Sequence, residues 1–345
     1  MAEVNYRGRR AVQLESPEIR VTVLIEGGHI AEVLHKQTGV NPLWTPPWPS
    51  IEPSTYDPWK HPEYGGDAES RLLSGIMGHN LALHLFGGPS AEEAAAGIPV
   101  HGEASVAAYA TCVEAGVMSC SAHLVSAQLE FERRLHLLPD GRSIHVHETV
   151  RNLSALDQPS AWTQHVTLGP PFLKPGVTQF RASATQSRVY ERELPDGYMQ
   201  RGADFLWPNV PLSAGGACDL QTYPAGDTYA GMSSHLMDPG RESAYFVAWS
   251  PESNVLFGYK WSRADFPWLA LWEENCSRTA APWNGRTITR GMEFGVSPVP
   301  ETRRQMIERG SLFGVAGYRW LPAGGSVSTA YTIVIGMADQ IPEEL

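Results

Sequence analysis

Short stretches in which apolar and polar residues alternate recur along most of the chain, and glycine and proline residues separate them. The first clear stretch places Ile19, Val21 and Val23 on one face of a predicted strand. Gly27 and Gly28 interrupt it, and the pattern resumes at residues 30–35, which predicts a β-hairpin. Further strands are predicted at residues 105–112, 117–126, 129–138, 143–152, 164–168, 245–250, 254–261, 268–273 and 328–335. The 33 glycines, 27 prolines and 11 tryptophans of the chain fit this pattern, and together they favour an all-β protein.

Two segments favour short helices. In residues 89–97, Ser90 suits an N-cap, Glu93 follows three positions later and Gly97 ends the segment. A second short helix is predicted over residues 301–310. Because no shift in composition and no fixed-period repeat marks a boundary, we predict a single domain over residues 1–345. Its predicted architecture is one large antiparallel β-sandwich.

A proline- and tryptophan-rich segment occupies residues 43–66. Seven prolines lie between positions 42 and 62, which excludes a regular helix or a central strand there. The three tryptophans, Trp44, Trp48 and Trp59, indicate a packed and ordered loop rather than a linker. Long ordered loops usually contribute to function, so we expect this one to lie near a site.

Charge and cysteine spacing exclude several classes of function. The net charge of −11 repels phosphate backbones, so no nucleic-acid partner is expected. The four cysteines form no CxxC pair, which argues against a zinc knuckle. His145 and His147 share a strand face, but without a third ligand a solvated face is favoured over a metal site. No secretory signal and no apolar run of membrane-spanning length is seen, so we expect a cytoplasmic protein with no membrane partner.

Three stretches that lie far apart in the chain offer acid–base side chains on predicted strands or strand edges. They are residues 98–103 (Ile-Pro-Val-His-Gly-Glu), 162–167 (Trp-Thr-Gln-His-Val-Thr) and 291–295 (Gly-Met-Glu-Phe-Gly). Two imidazoles and one carboxylate are enough to move protons on and off a sugar hydroxyl and a ring oxygen. Taken singly, His101 can be a polar turn residue, His165 a core histidine and Glu293 a surface glutamate. The apolar neighbours of Glu293 favour partial desolvation, which would raise its pKa.

A fourth stretch, residues 273–286, is rich in groups that hydrogen-bond to a polyol or stack on it. It contains Arg278, Trp283 and Arg286. A salt-bridged loop is an equally good interpretation of this stretch.

Together these stretches resemble the aldose 1-epimerase (galactose mutarotase-like) family. Residues 24–30 resemble its first strands with their Gly-Gly turn, and residues 98–104 resemble its His-Gly motif. Residues 162–165 with 171–172 are similar to its second histidine motif, and residues 291–294 to the late strand that carries its glutamate. The resemblance implies a β-supersandwich that interconverts the α and β anomers of a free aldose. It implies neither a metal nor a nucleotide cofactor.

By this resemblance Glu293 would be the base that takes the anomeric proton, and His165 the acid that protonates the ring oxygen. His101 would bind the sugar near that oxygen. The family also has an arginine ahead of the His-Gly motif, and here His79 or Arg71 would stand in for it. For the family's sugar-binding aspartate, Asp227 and Asp219 lie in the right region. Trp283 and Arg286 are predicted to bind the sugar as well.

Three other functions compete with this one. A carbohydrate-binding module on the same sandwich would need no buried carboxylate opposite a histidine. A sugar-phosphate mutarotase would need a guanidinium cluster, for which Arg278, Arg286 and Arg290 are candidates. A lyase or hydrolase on a related sandwich would draw on Tyr229 and Glu273.

Overall fold

The computed structural model describes residues 3–345, so the first two residues of the predicted domain lie outside it. In chain order its strands are β1 (Val4–Tyr6), β2 (Arg9–Glu15), β3 (Ile19–Leu24), β4 (Ile30–His35), β5 (His79–His84), β6 (Ala110–Glu114), β7 (Val117–Leu124), β8 (Leu129–Leu137), β9 (Ser143–Asn152), β10 (Gln158–Leu168), β11 (Gln179–Ala182), β12 (Ala184–Val189), β13 (Asp204–Leu206), β14 (Asn209–Pro211), β15 (Ala217–Asp219), β16 (Tyr229–Met237), β17 (Ser243–Ser250), β18 (Val255–Ser262), β19 (Trp268–Asn275), β20 (Ile288–Gly295), β21 (Ser311–Leu312), β22 (Val315–Ala316), β23 (Arg319–Leu321) and β24 (Ser326–Met337). The predicted all-β class is therefore confirmed.

Two antiparallel sheets make up most of the structure. The larger has twelve strands in the order β1-β2-β3-β4-β5-β10-β20-β19-β16-β12-β13, with β23 paired to β10. The smaller has eight strands in the order β11-β17-β18-β24-β9-β8-β7-β6. One cluster of buried apolar side chains from both sheets fills the space between them. This is the sandwich that the alternating pattern predicts.

Strand β10 shows how the sequence specifies its place in the sandwich. Trp162 and Val166 alternate with polar residues, and they pack into the cluster between the sheets. We call this side of the twelve-stranded sheet its inter-sheet face. The intervening residues Thr163, His165 and Thr167 lie on the opposite side, yet all three are buried. A strand that buries polar side chains on its outer side has something packed over it.

A polar network crosses the sandwich between the two sheets. Arg133 donates to Glu148 at 2.7 Å, and both side chains are buried. Glu148 also accepts from Trp162 at 3.0 Å and from Gln164 at 2.6 Å. The carboxylate of Glu148 thereby links the smaller sheet to β10 through charge-assisted hydrogen bonds.

The helices are few and short, as predicted. They are α1 (Ser70–Leu73), α2 (Ala91–Ala95) and α3 (Arg303–Arg309), with 3-10 turns at Pro53–Thr55, Pro62–Tyr64 and Glu103–Ser105. Ser90 caps α2 through the predicted capping box with Glu93. The strand predicted at residues 105–112 is wrong over its first half, because a 3-10 turn precedes β6 there.

The proline- and tryptophan-rich segment is ordered and packed. Trp44 and Trp48 join a buried apolar cluster that also contains Trp283, whereas Trp59 is 93% exposed. The indole rings of Trp44 and Trp283 stack with centroids 6.1 Å apart. Two of the three tryptophans therefore pack this loop against Trp283 and against Trp272 of β19.

Within residues 3–345, no helix is long and apolar enough to cross a membrane. In the same range, no group of three or more histidine, cysteine or acidic side chains is placed to hold a metal ion. The rings of His136 and His145 lie 5.1 Å apart on paired strands of the smaller sheet, and His147 is exposed.

Candidate active site

The pairing of β10 with β20 brings the second and third predicted motifs together. Gln164 lies opposite Phe294 and Thr167 opposite Gly291, so this register places His165 beside Glu293. Because side chains alternate along a strand, both project from the outer side of the twelve-stranded sheet, which we call its site face. Two residues that are 128 positions apart in sequence thus become cross-strand neighbours.

The side chains of His165 and Glu293 meet in a nearly dry environment. The distance from His165 Nε2 to Glu293 Oε1 is 3.1 Å, and 8% and 2% of the two side chains are exposed. This contact does not have the geometry of a hydrogen bond, so within the described chain Oε1 has no hydrogen-bond partner. That oxygen is therefore free to accept a proton from a bound molecule.

Burial shifts both pKa values of this pair, in opposite directions. Desolvation disfavours the charged carboxylate and raises the pKa of Glu293 to about 8. Desolvation, helped by nearby His101, lowers the pKa of His165 well below its ordinary value. Near neutral pH the pair therefore holds one proton between two groups in contact. Transfer of that proton from Glu293 to His165 produces a carboxylate base and an imidazolium acid side by side.

Gly291 makes room for the Glu293 carboxyl group. A Cβ atom at position 291 would collide with Glu293 Oε1, because the glutamate side chain folds back over its neighbour two residues away. The backbone of Gly291 does not have a positive φ, so the need for glycine here is one of space. The Gly-Met-Glu-Phe-Gly stretch thus supplies both the carboxylate and the gap it occupies.

His101 reaches the pair from a tight turn. Its φ is +65° and that of Gly102 is +77°, and a Cβ atom at position 102 would strike the carbonyl oxygen of Leu83. His101 Nδ1 lies 2.6 Å from the carbonyl oxygen of Phe86. Since a carbonyl oxygen only accepts, Nδ1 carries the proton, which leaves Nε2 of the neutral ring as an acceptor. Burial lowers the pKa of His101, which favours this neutral form.

The two imidazole rings and the carboxylate lie at the edge of a cavity of about 260 Å³. The rings of His101 and His165 have centroids 4.7 Å apart, and Trp272 lies 6.3 Å beyond His165. Trp272 in turn contacts Trp283, so an aromatic wall extends from the histidines to the tryptophan-rich loop. Such a wall suits the C–H face of a sugar ring, while the polar groups face its hydroxyls.

Two charged residues of the cavity lining form an ion pair. Arg278 Nη1 donates to Glu69 Oε2 at 3.1 Å, and the guanidinium lies 4.7 Å from the ring centre of Trp283. Both Arg278 and Glu69 line the cavity. The stacked and ion-paired guanidinium keeps a fixed direction, which is what recognition of hydroxyl groups requires.

Four of the predicted site residues lie at this cavity: His101, His165, Trp283 and Glu293. The prediction for His79 is wrong, because its side chain lies between the sheets, where Nε2 contacts Gln164 at 2.9 Å. A shift of one position along a strand reverses the face of the sheet. The neighbouring residue Asn80 therefore lies on the site face, directly opposite His165.

The remaining predicted sugar ligands also lie elsewhere. Arg71, Asp227 and Arg286 are exposed, and they are not among the residues that line the cavity. Asp219 is likewise exposed on β15, which pairs only with β14 within the described chain. These predictions are wrong because order in the chain and local composition do not fix the direction in which a connecting segment places its side chains.

Several residues at the site were not predicted from sequence. Arg192 and Glu69 line the cavity, and Asn80 is buried on the site face with both amide atoms unpartnered within residues 3–345. The alternation of β5 gives a signal for Asn80, because it shares a face with Ala82 rather than with Leu81. Arg192 lies in an irregular loop and carries no comparable signal.

Most of the residues that the competing functions would need lie away from the cavity or are already paired with other side chains. Arg290 is buried in an ion pair with Glu273 on the inter-sheet face, and Arg286 is exposed away from the cavity, so no guanidinium cluster forms from the predicted set. Tyr198 donates to the other oxygen of Glu273 at 2.6 Å. Glu273 is therefore a satisfied structural carboxylate rather than one that cleaves a bond.

The fold and the site define a class of architecture: a large antiparallel sandwich with two histidines and a glutamate gathered on one sheet. No family model matches the chain, and no curated protein sequence matches it. Solved structures do match over nearly its whole length.

The matching structures have related names. One is a candidate aldose 1-epimerase from Klebsiella pneumoniae, 13% identical, with a TM-score of 0.68 over 97% of this chain and 82% of that one. Another is a candidate aldose 1-epimerase from Escherichia coli, 12% identical, with a TM-score of 0.64 over 96% and 100%. A galactose mutarotase-like protein from Lactobacillus casei is 13% identical, with a TM-score of 0.60 over 94% and 100%. The chain therefore has the galactose mutarotase-like fold, in a form divergent in sequence.

Proposed function

We propose that this protein interconverts the α and β anomers of a free aldose. The observation that carries the proposal is the 3.1 Å contact of His165 Nε2 with Glu293 Oε1 at the edge of an aromatic-walled cavity. The reaction needs a base at the anomeric hydroxyl and an acid at the ring oxygen at the same time. The pair supplies both on one side of a space that is open to a small ligand.

The proton inventory of the pair balances the reaction. Glu293, as the carboxylate, takes the proton of the anomeric hydroxyl, and the C1–O1 bond becomes a carbonyl. The bond between C1 and the ring oxygen breaks, and His165 gives its proton to that oxygen. Rotation about C1–C2 then presents the other face of the aldehyde, and the two proton transfers run in reverse. The pair ends with the one proton that it began with.

His101 has a supporting part in this mechanism. Its Nδ1–H is held by the Phe86 carbonyl, so Nε2 can accept a hydrogen bond from a sugar hydroxyl beside His165. The 4.7 Å separation of the two rings puts both within reach of neighbouring atoms of one sugar. The low polarity of the surroundings strengthens each of these interactions.

A carbohydrate-binding protein without chemistry is the alternative that the fold leaves open. A carboxyl group whose pKa is raised to about 8 by burial is costly for a binder, because binding alone does not need it. Perturbed pKa values of this kind are typical of catalytic acids and bases. The structure therefore favours the enzyme over the binder.

The substitution Glu293→Gln tests the proposal. It keeps the size of the side chain and removes the base, so anomer exchange measured by polarimetry or NMR on a panel of aldoses should fall by a factor of about 1,000 or more. Sugar affinity should change by less than about tenfold. The matched control is Glu301→Gln, since Glu301 is also a buried glutamate but pairs with Arg309 outside the cavity. An unchanged rate in Glu293→Gln would remove Glu293 from the role of base.

A further inference from the structure

A second cavity lies next to the candidate active site. Its volume is about 320 Å³, and the side chains of Glu193, Asp196, Arg201 and Ser213 contribute polar groups to its lining. It arises where the chain leaves β12. Tyr190 still bonds to Met232 of β16, the segment after it bulges outward, and Asp196 and Tyr198 bond to β16 again at Ala230. The outward bulge of residues 191–195 borders the space.

The two cavities share a wall. Tyr190, Arg192, Leu194 and Met232 line both of them. No other residue of β16 lines the first cavity, so Met232 marks the boundary on the sheet. The two cavities are therefore adjacent, and these four residues lie between them.

The register of the sheet gives the distance between the reacting groups and this boundary. Thr167 lies opposite Gly291, Gly291 opposite Trp272, and Trp272 opposite Met232. This row crosses from β10 through β20 and β19 to β16. Since strands are spaced by about 4.8 Å, Met232 lies about 10 Å from the strand that carries Glu293. This distance exceeds the width of one pyranose ring, so a single ring at Glu293 leaves the second cavity empty.

The lining of the second cavity suits a neutral polyol. Arg201 pairs with Glu193 at 3.6 Å, and Asp196 lies beside them, so donors and acceptors of both signs are present. Arg192, on the shared wall, donates to Gln305 at 2.8 Å. A site for an anion would present an excess of guanidiniums, whereas mixed donors and acceptors fit the hydroxyl groups of a sugar.

We propose that the substrate is a reducing oligosaccharide, with its terminal ring at Glu293 and His165 and the adjoining ring in the second cavity. This inference rests on the proposed function for the position of the terminal ring. The second cavity then acts as a subsite that raises affinity for disaccharides and longer sugars over monosaccharides. Arg192 contacts the substrate near the junction of the two rings.

The test compares maltose, cellobiose and lactose with glucose and galactose. Affinity is measured by quenching of tryptophan fluorescence and anomer exchange by NMR. At least one disaccharide should show a Kd and a kcat/KM better by about tenfold or more than its monosaccharide, a gain of one or two good hydrogen bonds. The variant Ser213→Trp, which fills the second cavity from an exposed position, should abolish that gain and leave the monosaccharide values unchanged. Arg201→Ala should reduce the gain without filling the cavity.

The matched control is Ser126→Trp, an exposed serine between β7 and β8 of the other sheet. Equal values for monosaccharides and disaccharides, or a gain that survives in Ser213→Trp, would overturn the subsite. Tighter binding of disaccharides without anomer exchange of any sugar would support the subsite and overturn the proposed function. Loss of the gain in Ser126→Trp as well would count against the subsite, since that position is remote from it.

Discussion

Glu293 is an ionisable residue that is buried next to a histidine rather than next to a permanently charged arginine or lysine. Its partner His165 has a lowered pKa, so near neutral pH the pair is a protonated carboxyl group beside a neutral imidazole and carries no net charge. This explains how the fold tolerates a carboxyl group on a dry sheet face.

The gap at Gly291 leads to a prediction about activity. In Gly291→Ala the added methyl group should displace the Glu293 carboxyl, because a Cβ atom there would overlap Oε1. A displacement of this size should lower kcat/KM for anomer exchange by about 100-fold with the fold retained. The control is Gly66→Ala, since a Cβ atom at Gly66 would meet nothing within 4 Å. Wild-type activity in Gly291→Ala would show that the carboxyl position is not critical.

Burial of Glu293 also predicts a pH-dependent cost in stability. The pKa of Glu293 is about 8 in the folded protein and near 4.5 when unfolded, so the folded state binds the proton more tightly. Stability from this group is therefore complete below pH 4.5 and is lost as pH rises toward 8. Between pH 5 and pH 8 the loss amounts to roughly 3 kcal/mol.

Glu293→Gln does not ionise and should escape this loss. Denaturation by urea at several pH values would show the variant gaining stability relative to wild type from pH 5 to pH 8. A constant difference across that range would mean that Glu293 has an ordinary pKa in the folded protein.

Sequence reasoning found the residues of this site that belong to short motifs with a steric or chemical requirement. His101 precedes a glycine that adopts positive φ, and Glu293 follows a glycine that makes room for it. Asn80 was missed because the alternation of β5, which groups it with Ala82, was not used to choose between it and His79. Arg192 was missed because its loop has no repeating pattern from which a direction can be derived.

The pairing register of neighbouring strands determines where the proposed catalytic side chains lie. β10 is the central element, because it pairs with β5 on one side and β20 on the other and carries His165 between them. Its Gln164 faces the inter-sheet network, which fixes the strand from behind. The orientation of His165 therefore depends on a network that lies on the opposite face of the same strand.

The buried polar network between the sheets leads to a prediction about stability. Arg133→Met leaves Glu148 buried without its cation and should lower the free energy of unfolding by about 3–5 kcal/mol. The matched control is Arg134→Met on the same strand, since the Arg134–Glu132 pair is exposed and should contribute less than about 1 kcal/mol. Urea denaturation followed by tryptophan fluorescence measures both. Equal, small losses would mean that the network is not an important link between the sheets.

Most strands could be predicted because half-buried strands alternate, and α2 because Ser90 and Glu93 form a capping box. The strand expected at residues 105–112 failed at its start, since an apolar alternation does not distinguish a strand from a 3-10 turn that buries the same residues. Strand partners were not predictable in this way. The neighbours of β10 are β5 and β20, which lie far from it in the chain, and only tertiary packing selects them.

At the scale of the whole molecule, the sandwich turns three weak motifs into one site. The larger sheet supplies a rigid floor, and loops from its end, including residues 43–66, supply the aromatic wall. Composition predicted the class of the fold, because turn formers and aromatics in this proportion are typical of large β-sandwiches. The second cavity could not be predicted, since it depends on how far residues 191–195 bulge from β16.

The most direct test of the account is the pH dependence of kcat/KM for anomer exchange by the wild-type protein. The active form holds one proton on the pair, so the rate should fall above a pKa near 8, where that proton is lost from Glu293. On the acid side the rate should persist well below pH 6.5, because the lowered pKa of His165 delays uptake of a second proton. A bell-shaped profile with these limits would support the shared proton. A rate that stays constant through pH 8 and above, or one that requires a pH below the ordinary glutamate pKa, would contradict it.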